Sequence, residues 1–169
     1  APTATDACGT ATVNQLSDIT TQGSCANNYT EVRTWDAVDA CGNHSATVSQ
    51  TITVQDTTPP TIGGQGANAI IECTATPSFT APTATDACGT ATVNQLSDIT
   101  TQGSCANNYT EVRTWDAVDA CGNHSATVSQ TITVQDTTPP TIGGQGANAI
   151  IECTATPSFT APTATDACG

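Results

Sequence analysis

Tandem copies of a small all-β, two-sheet sandwich are the fold class this chain predicts, and three observations carry it. The first is repetition: APTATDACG occurs at residues 1, 81 and 161, and everything between recurs without a substitution, so the period is 80 residues. That is too long for a solenoid coil and fits one small domain, which makes beads on a string the expected arrangement. The second is periodicity. Ala126, Val128, Ile132 and Val134 alternate with Thr127, Ser129, Thr131 and Thr133, the two-residue period of a half-buried strand, and no window has a helical period. The third is a turn: Asp119-Ala-Cys-Gly-Asn123 lies between two β-rich runs, where Asp and Asn can bond their own backbone and Gly tolerates positive φ.

The proline pairs mark the boundaries. Asp56-Thr-Thr-Pro-Pro60 and Asp136-Thr-Thr-Pro-Pro140 cannot continue a sheet ladder and favour stiff extended connectors. Cutting there gives one complete unit over residues 56–135, the C-terminal part of a preceding unit over 1–55, and the N-terminal part of a following one over 136–169. The chain is therefore expected to be a window on a longer array. Within 56–135, Pro60-Thr-Ile62 opens a strand, Gly63-Gly64-Gln65-Gly66 breaks it, and Ala69-Ile-Ile-Glu-Cys73 resumes it. Ser78 to Thr85 predicts a second strand, weakened at Pro82, and Ala91 to Gln95 a third. Leu96 to Asn108 reads as turn-rich, with one short strand around Ile99. In the strand from Tyr109 to Val118, Trp115 is expected to face inward, with the Arg113 stem beside it and its charge paired with Glu111 or Glu72. About seven short strands in two sheets make the sandwich immunoglobulin-like.

Composition bounds the function. Two basic against fifteen acidic residues give a net charge of −13, which opposes nucleic-acid phosphates and anionic membrane surfaces. No stretch has the ~20 apolar residues of a membrane helix. Each unit has Phe79, Tyr109 and Trp115 as its aromatics, and so thin a core calls for covalent or metal reinforcement. Four cysteines per unit in a lysine-free, Thr-rich chain read as disulfides of an exported protein. Enzymatic readings find no support: His124 follows a turn, no Cys/His pair has catalytic or zinc spacing, and no phosphate loop or nucleophile elbow occurs.

The series DTTPPTI, PTATDACG and TEVRTWDAVDACGN, followed by the alternating strand, resembles the hyalin-repeat (HYR-like) immunoglobulin-fold modules. Among these it is similar to the cysteine-containing versions in very long surface adhesins of Bacteroidota, including gliding-motility adhesins. The resemblance covers the whole 80-residue unit. It implies an extracellular or cell-surface, non-enzymatic fibre of identical repeats set head to tail, adhesive in role, with a surface or glycan ligand left open. The alternatives are a carbohydrate-binding or adhesin-tip module, which needs an exposed aromatic platform, and the spacer of a secreted enzyme.

In that topology Asp56, Asp86 and Asp119, and equally Asp136 and Asp166, are expected to converge at the domain junctions, where Ca²⁺ would relieve their mutual repulsion. The other reading is that Asp86 and Asp119 cap their own turns while Asp56 sits in solvent. Asn28, Asn43, Asn108 and Asn123 stand in Asn-x-Ser/Thr sequons. Thr57 and Thr137 resemble an O-glycan acceptor used in Bacteroidota, against an ordinary Thr-rich linker.

Strand geometry orders the cysteines. Cys73 and Cys105 are expected at one end of the sandwich and Cys88 and Cys121 at the other. Cys105 and Cys121 are separated by a strand of roughly 33 Å, whereas bridging needs Cα atoms within ~7 Å. The expected disulfides are thus Cys73–Cys105 and Cys88–Cys121, with Cys8–Cys41 in the partial unit. The incomplete units at either end must be completed by continuation of the chain or by a donor strand from a neighbouring copy, in which case Cys153 would bond Cys25 of the next copy.

Overall fold

The computed structural model describes residues 2–169 and is an all-β, immunoglobulin-like chain, with no helix among the described residues. Its strands are β1 (Ala11–Gln22), β2 (Tyr29–Asp39), β3 (Val48–Val54), β4 (Thr61–Gly63), β5 (Ala69–Glu72), β6 (Thr83–Thr85), β7 (Ala91–Gln102), β8 (Tyr109–Asp119), β9 (Val128–Gln135), β10 (Thr141–Gly143) and β11 (Thr163–Thr165). They form sheets in the orders β1-β2-β3 and β5-β9-β8-β7, and two-stranded sheets β4-β6 and β10-β11.

Two compact units result, neither contiguous in sequence. One comprises residues 1–62, 84–94 and 117–126, and the other 63–83, 95–116 and 127–169. In the first unit β1 and β2 form a long antiparallel hairpin from Gln22↔Tyr29 to Ala11↔Asp39, with a bulge between Gln15 and Ser17. β3 pairs with β2 from Tyr29↔Val54 to Trp35↔Val48.

The second unit holds the better covered core. β5 joins β9 in parallel, Ala69↔Ile132 to Glu72↔Gln135, and β9 runs antiparallel to β8. Held on both edges, β9 buries alternate residues Gln130, Ile132 and Val134, the period-two face read from the sequence. Trp115 is buried, as expected of an inward residue.

Three local expectations give way. The strand expected from Ser78 is confined to Thr83–Thr85, because the Thr80 N–H is taken by the Gln130 side chain at 2.9 Å and not by a ladder partner. The supposedly turn-rich stretch after Leu96 continues β7 as far as Gln102. Its polar side chains find matching partners on β8: Ser97 meets Thr114 at 2.6 Å, and Asp98 pairs with Arg113 at 2.9 Å. Such cross-strand pairs stabilise a strand whose composition looks loop-like. Arg113 also pairs with Glu111 at 3.1 Å and lies over the Phe79 ring at 4.2 Å, so its flat guanidinium stacks on Phe79, while Glu72 accepts from Thr137. Residues 56–135 carry six strands, one fewer than expected.

Candidate site of cysteines and carboxylates

Two kinds of turn present five of the nine cysteines, and an aspartate two residues upstream builds each. In the hairpin turn, Asp119 Oδ1 accepts the N–H groups of Cys121 at 2.8 Å and Asn123 at 2.9 Å, while Oδ2 accepts Asn123 Nδ2 at 2.8 Å. The chain reverses at Gly122, whose φ of 88° is open to glycine at little steric cost. Asp39, Cys41, Gly42 and Asn43 repeat this arrangement. In the other turn, Asp86 accepts the Cys88 N–H at 2.7 Å, as Asp166 does for Cys168 at 2.7 Å and Asp6 for Cys8 at 3.1 Å. The D-A-C spacing thus fixes the backbone of every cysteine in these turns.

Hydrogen bonding to the charged form lowers the Asp39 carboxyl below its ordinary range, with the Asn43 side chain the largest cause. At Asp119 burial pushes upward, but the bonds from Asn123, Cys121 and Gly122 together outweigh it, and the result is again a lowered value.

The first unit gathers these groups around Asp56, which is buried. Its carboxylate lies within 4.8 Å of the Asp119 carboxylate and the Cys121 sulfur, and also of the Asp86 carboxylate and the Cys88 sulfur. Asp56 is held there by its N–H to Asn28 Oδ1 at 2.6 Å and by its carbonyl, which accepts from Asn123 Nδ2 at 3.3 Å. A cavity of about 220 Å³ opens beside Asp56, Asp86 and Cys88. The charge of Asp56, then burial and the charge of Asp86, push the Cys88 thiol upward, so it stays protonated. In the second unit Asp136, Asp166 and Cys168 form the equivalent group, and Glu72 and Cys73 adjoin the same Cys168.

Asp86 and Asp119 therefore cap their own turns, yet Asp56 is not in solvent. For a hard cation the donor set is reduced. Asp119 spends both oxygens on its turn, and a protonated thiol is a poor ligand for Ca²⁺. Asp56 and Asp86 remain, and Asp86 Oδ1 is enclosed with no hydrogen-bond partner.

The disulfides differ from all three expected. Cys121 is bonded to Cys25, with Cα atoms 5.1 Å apart, and Cys73 to Cys168, with Cα atoms 5.9 Å apart. Cys73–Cys105, Cys88–Cys121 and Cys8–Cys41 do not form, and Cys8, Cys41, Cys88, Cys105 and Cys153 are free thiols. Cys73 follows β5, and the β7–β8 loop carries Cys105. Position along a strand, however, says nothing about distance across the sheet. At each end a cysteine from the next repeat stands nearer than the one within the unit. The available signal was the repetition itself, since a cysteine recurring every 80 residues is a candidate partner in each copy.

Among the glycan candidates Thr57 and Thr137 are exposed, and the Thr137 hydroxyl donates to Glu72. The four sequon asparagines serve the fold. Asn28 and Asn108 accept the N–H groups of Asp56 and Asp136, at 2.6 and 2.9 Å, while Asn43 and Asn123 brace Asp39 and Asp119.

A family model described as an HYR-like domain with 4 cysteines matches residues 1–54 and 61–134. A curated relative, hyalin of Strongylocentrotus purpuratus, is 34% identical over 190 residues, covering 99% of this chain and 15% of the relative's length. No solved structure matches.

Proposed function

The chain belongs to the family of HYR-like domains with 4 cysteines, and from that premise we propose that it is a structural stretch of an extracellular, adhesive filament or stalk. Identical repeats follow one another head to tail, and covalent bonds do the stiffening that a thin core cannot. The observation that carries this reading is the 80-residue repeat, unvaried in sequence and stapled by disulfides. Repeats that differ in nothing cannot divide different tasks, whereas a fibre needs only one unit and one joint. The likeness to hyalin supports a repeat module used outside the cell, and no helix among the described residues is long and apolar enough to cross a membrane.

No catalytic role belongs to the proposal. The sugar-binding alternative finds no aromatic platform in Trp35 or Trp115, since both are buried. Calcium enters as a stiffener at Asp56 and Asp86, and at Asp136 and Asp166, supported by the enclosed and unpartnered Asp86 Oδ1. Glycans at Thr57 would decorate the linker, where this residue is exposed.

The filament reading is tested by labelling intact cells with antibody raised against residues 56–135 and imaging the labelled material by electron microscopy. Labelled fibres outside unlysed cells are the expected result. Label reached only after lysis, or only on compact particles, overturns it.

A further inference from the structure

The two disulfides span 96 and 95 residues, and both outreach the 80-residue period. Cys121 is the copy of Cys41, and Cys168 the copy of Cys88, each one repeat on. Cys25 and Cys73 therefore each pair beyond their own repeat. Pairing with Cys41 of its own repeat is closed to Cys25, because Cys41 lies at the far end of the 11-residue β2, roughly 36 Å away at ~3.3 Å per residue.

The five free thiols stand in the same local structure as the four bonded cysteines. The Cys88 N–H is held by Asp86 at 2.7 Å and its carbonyl accepts from Asn27, as Cys168 is held by Asp166 at 2.7 Å and accepts from Asn107. Cys41 and Cys121 share their turn, each N–H 2.8 Å from its aspartate. The Cys105 carbonyl accepts from Asn108 at 3.1 Å, and that of Cys25 from Asn28 at 3.0 Å. Cys153 sits in a turn closed by Ala155 on Glu152 at 3.0 Å, and Cys73 in one closed by Ala75 on Glu72 at 2.9 Å. What separates the two sets is cover: Cys168 is buried, whereas Cys88 is exposed beside an open cavity.

We propose that Cys8, Cys41, Cys88, Cys105 and Cys153 are each one half of a disulfide to a further copy of the 80-residue repeat, at the same two offsets. Every cysteine of an array is then bonded between repeats. The inference rests on the reading of the chain as part of a tandem array. Each bond forms by exchange with the disulfide of a dithiol oxidoreductase: two cysteine thiols lose two protons and two electrons, and the oxidant's disulfide becomes two thiols.

Because the bonds outreach the period by 16 and 15 residues, successive loops overlap and no part of an array lies outside one. Under tension the shortest covalent path crosses a disulfide, returns along 16 residues and crosses the next. At about 3.4 Å per residue an unfolded repeat can lengthen to only about 54 Å, against about 270 Å for the reduced 80 residues. The device is a fibre whose extension is capped even when its domains unfold.

Two measurements test it. In this chain Cys41→Ser and Cys88→Ser should each keep both disulfides and lose one titratable thiol. Loss of a disulfide in either variant, read by non-reducing mass and thiol labelling, means pairing within the repeat and overturns the proposal. In single-molecule pulling of the native protein, oxidised repeats should extend by the short length and reduced ones by the long one. An oxidised extension near half the reduced one, as bonds within a repeat leave, also overturns it. An absence of evenly spaced unfolding events would instead refute the array, a result separable from the variants' thiol counts.

Discussion

β3 and β9 carry the same residues, VSQTITV, and the structure treats them differently. In β3 every residue is exposed, including Ile52 at 53%, whereas in β9 the matching Ile132 is 2% exposed and Val134 is buried beside it. β3 has β2 on one edge, while β9 lies between β8 and the parallel β5. The glutamine of this strand follows suit: Gln130 is buried and bonded to the Ala67 carbonyl at 3.0 Å and the Thr80 N–H at 2.9 Å, while Gln50 is exposed. The dependence runs both ways. Ala69–Glu72 is a strand against β9, but the identical residues 149–152 form none, and Ile150 is fully exposed. A four-residue strand cannot support itself, and its state reports whether a neighbour is present.

The largest expected effect comes from cutting into the covered copy. Trp115→Ala and Ile132→Ala should each cost about 2 to 5 kcal/mol, because a buried side chain leaves both lost transfer energy and a cavity. Ile52→Ala should cost under about 1 kcal/mol, as half its surface already meets water. Urea denaturation of the three variants checks this, and equal losses at Ile52 and Ile132 would show that β3 is covered in solution.

Next comes the polar clamp. Gln130→Ala strands the Thr80 N–H and the Ala67 carbonyl, for an expected loss of about 1 to 3 kcal/mol, and Gln50→Ala should change stability by no more than about 0.5 kcal/mol. Gly66→Ala sharpens the point: a Cβ there would meet the Gln130 side chain at 2.5 Å. At Gly146, its copy, the nearest atom is the Thr160 hydroxyl at 3.0 Å. Gly66→Ala should therefore be the more damaging of the two, and hydrogen exchange at Thr80 should report it.

Calcium should act more weakly than either. Excess Ca²⁺ is expected to raise the Tm by a small amount through Asp56 and Asp86, with EDTA reversing it. The double substitution Asp56→Asn and Asp86→Asn should abolish the response, and a Tm indifferent to both reagents removes calcium from the filament proposal.

How much of this was legible follows from the range of each interaction. The period-two face of β9 and the inward Trp115 are properties of a single strand, and local alternation displays them. The turn at Asp119 was legible for the same reason, since Asp, Gly and Asn meet their partners within four residues. The length of β7 was hidden because Ser97 and Asp98 have their partners 17 and 15 residues away. The disulfides were hidden because their offsets exceed the repeat, and a unit considered alone contains only wrong partners. The convergence on Asp56 depended on the immunoglobulin-like topology, which no single stretch encodes.

The smallest effect separates what is local from what is not. The Asp39 and Asp119 turns keep the same hydrogen bonds although their surroundings differ, so both carboxylates should titrate below the ordinary value near 3.9, as followed by NMR. A lowered folded pKa contributes stability that is fully present above the unfolded value and is lost as pH falls through the folded one. The stability contributed by these turns should thus hold at neutral pH and fade below about pH 4. Asn43→Ala removes the largest cause at Asp39 and should return that carboxyl toward its ordinary value. Asn123→Ala removes the largest of the lowering causes at Asp119, where burial already pushes upward, and also takes away the donor to the Asp56 carbonyl, so it should destabilise more than Asn43→Ala. If the two variants lose equal stability at neutral pH, the link from the turn to Asp56 is absent in solution and the turn acts alone.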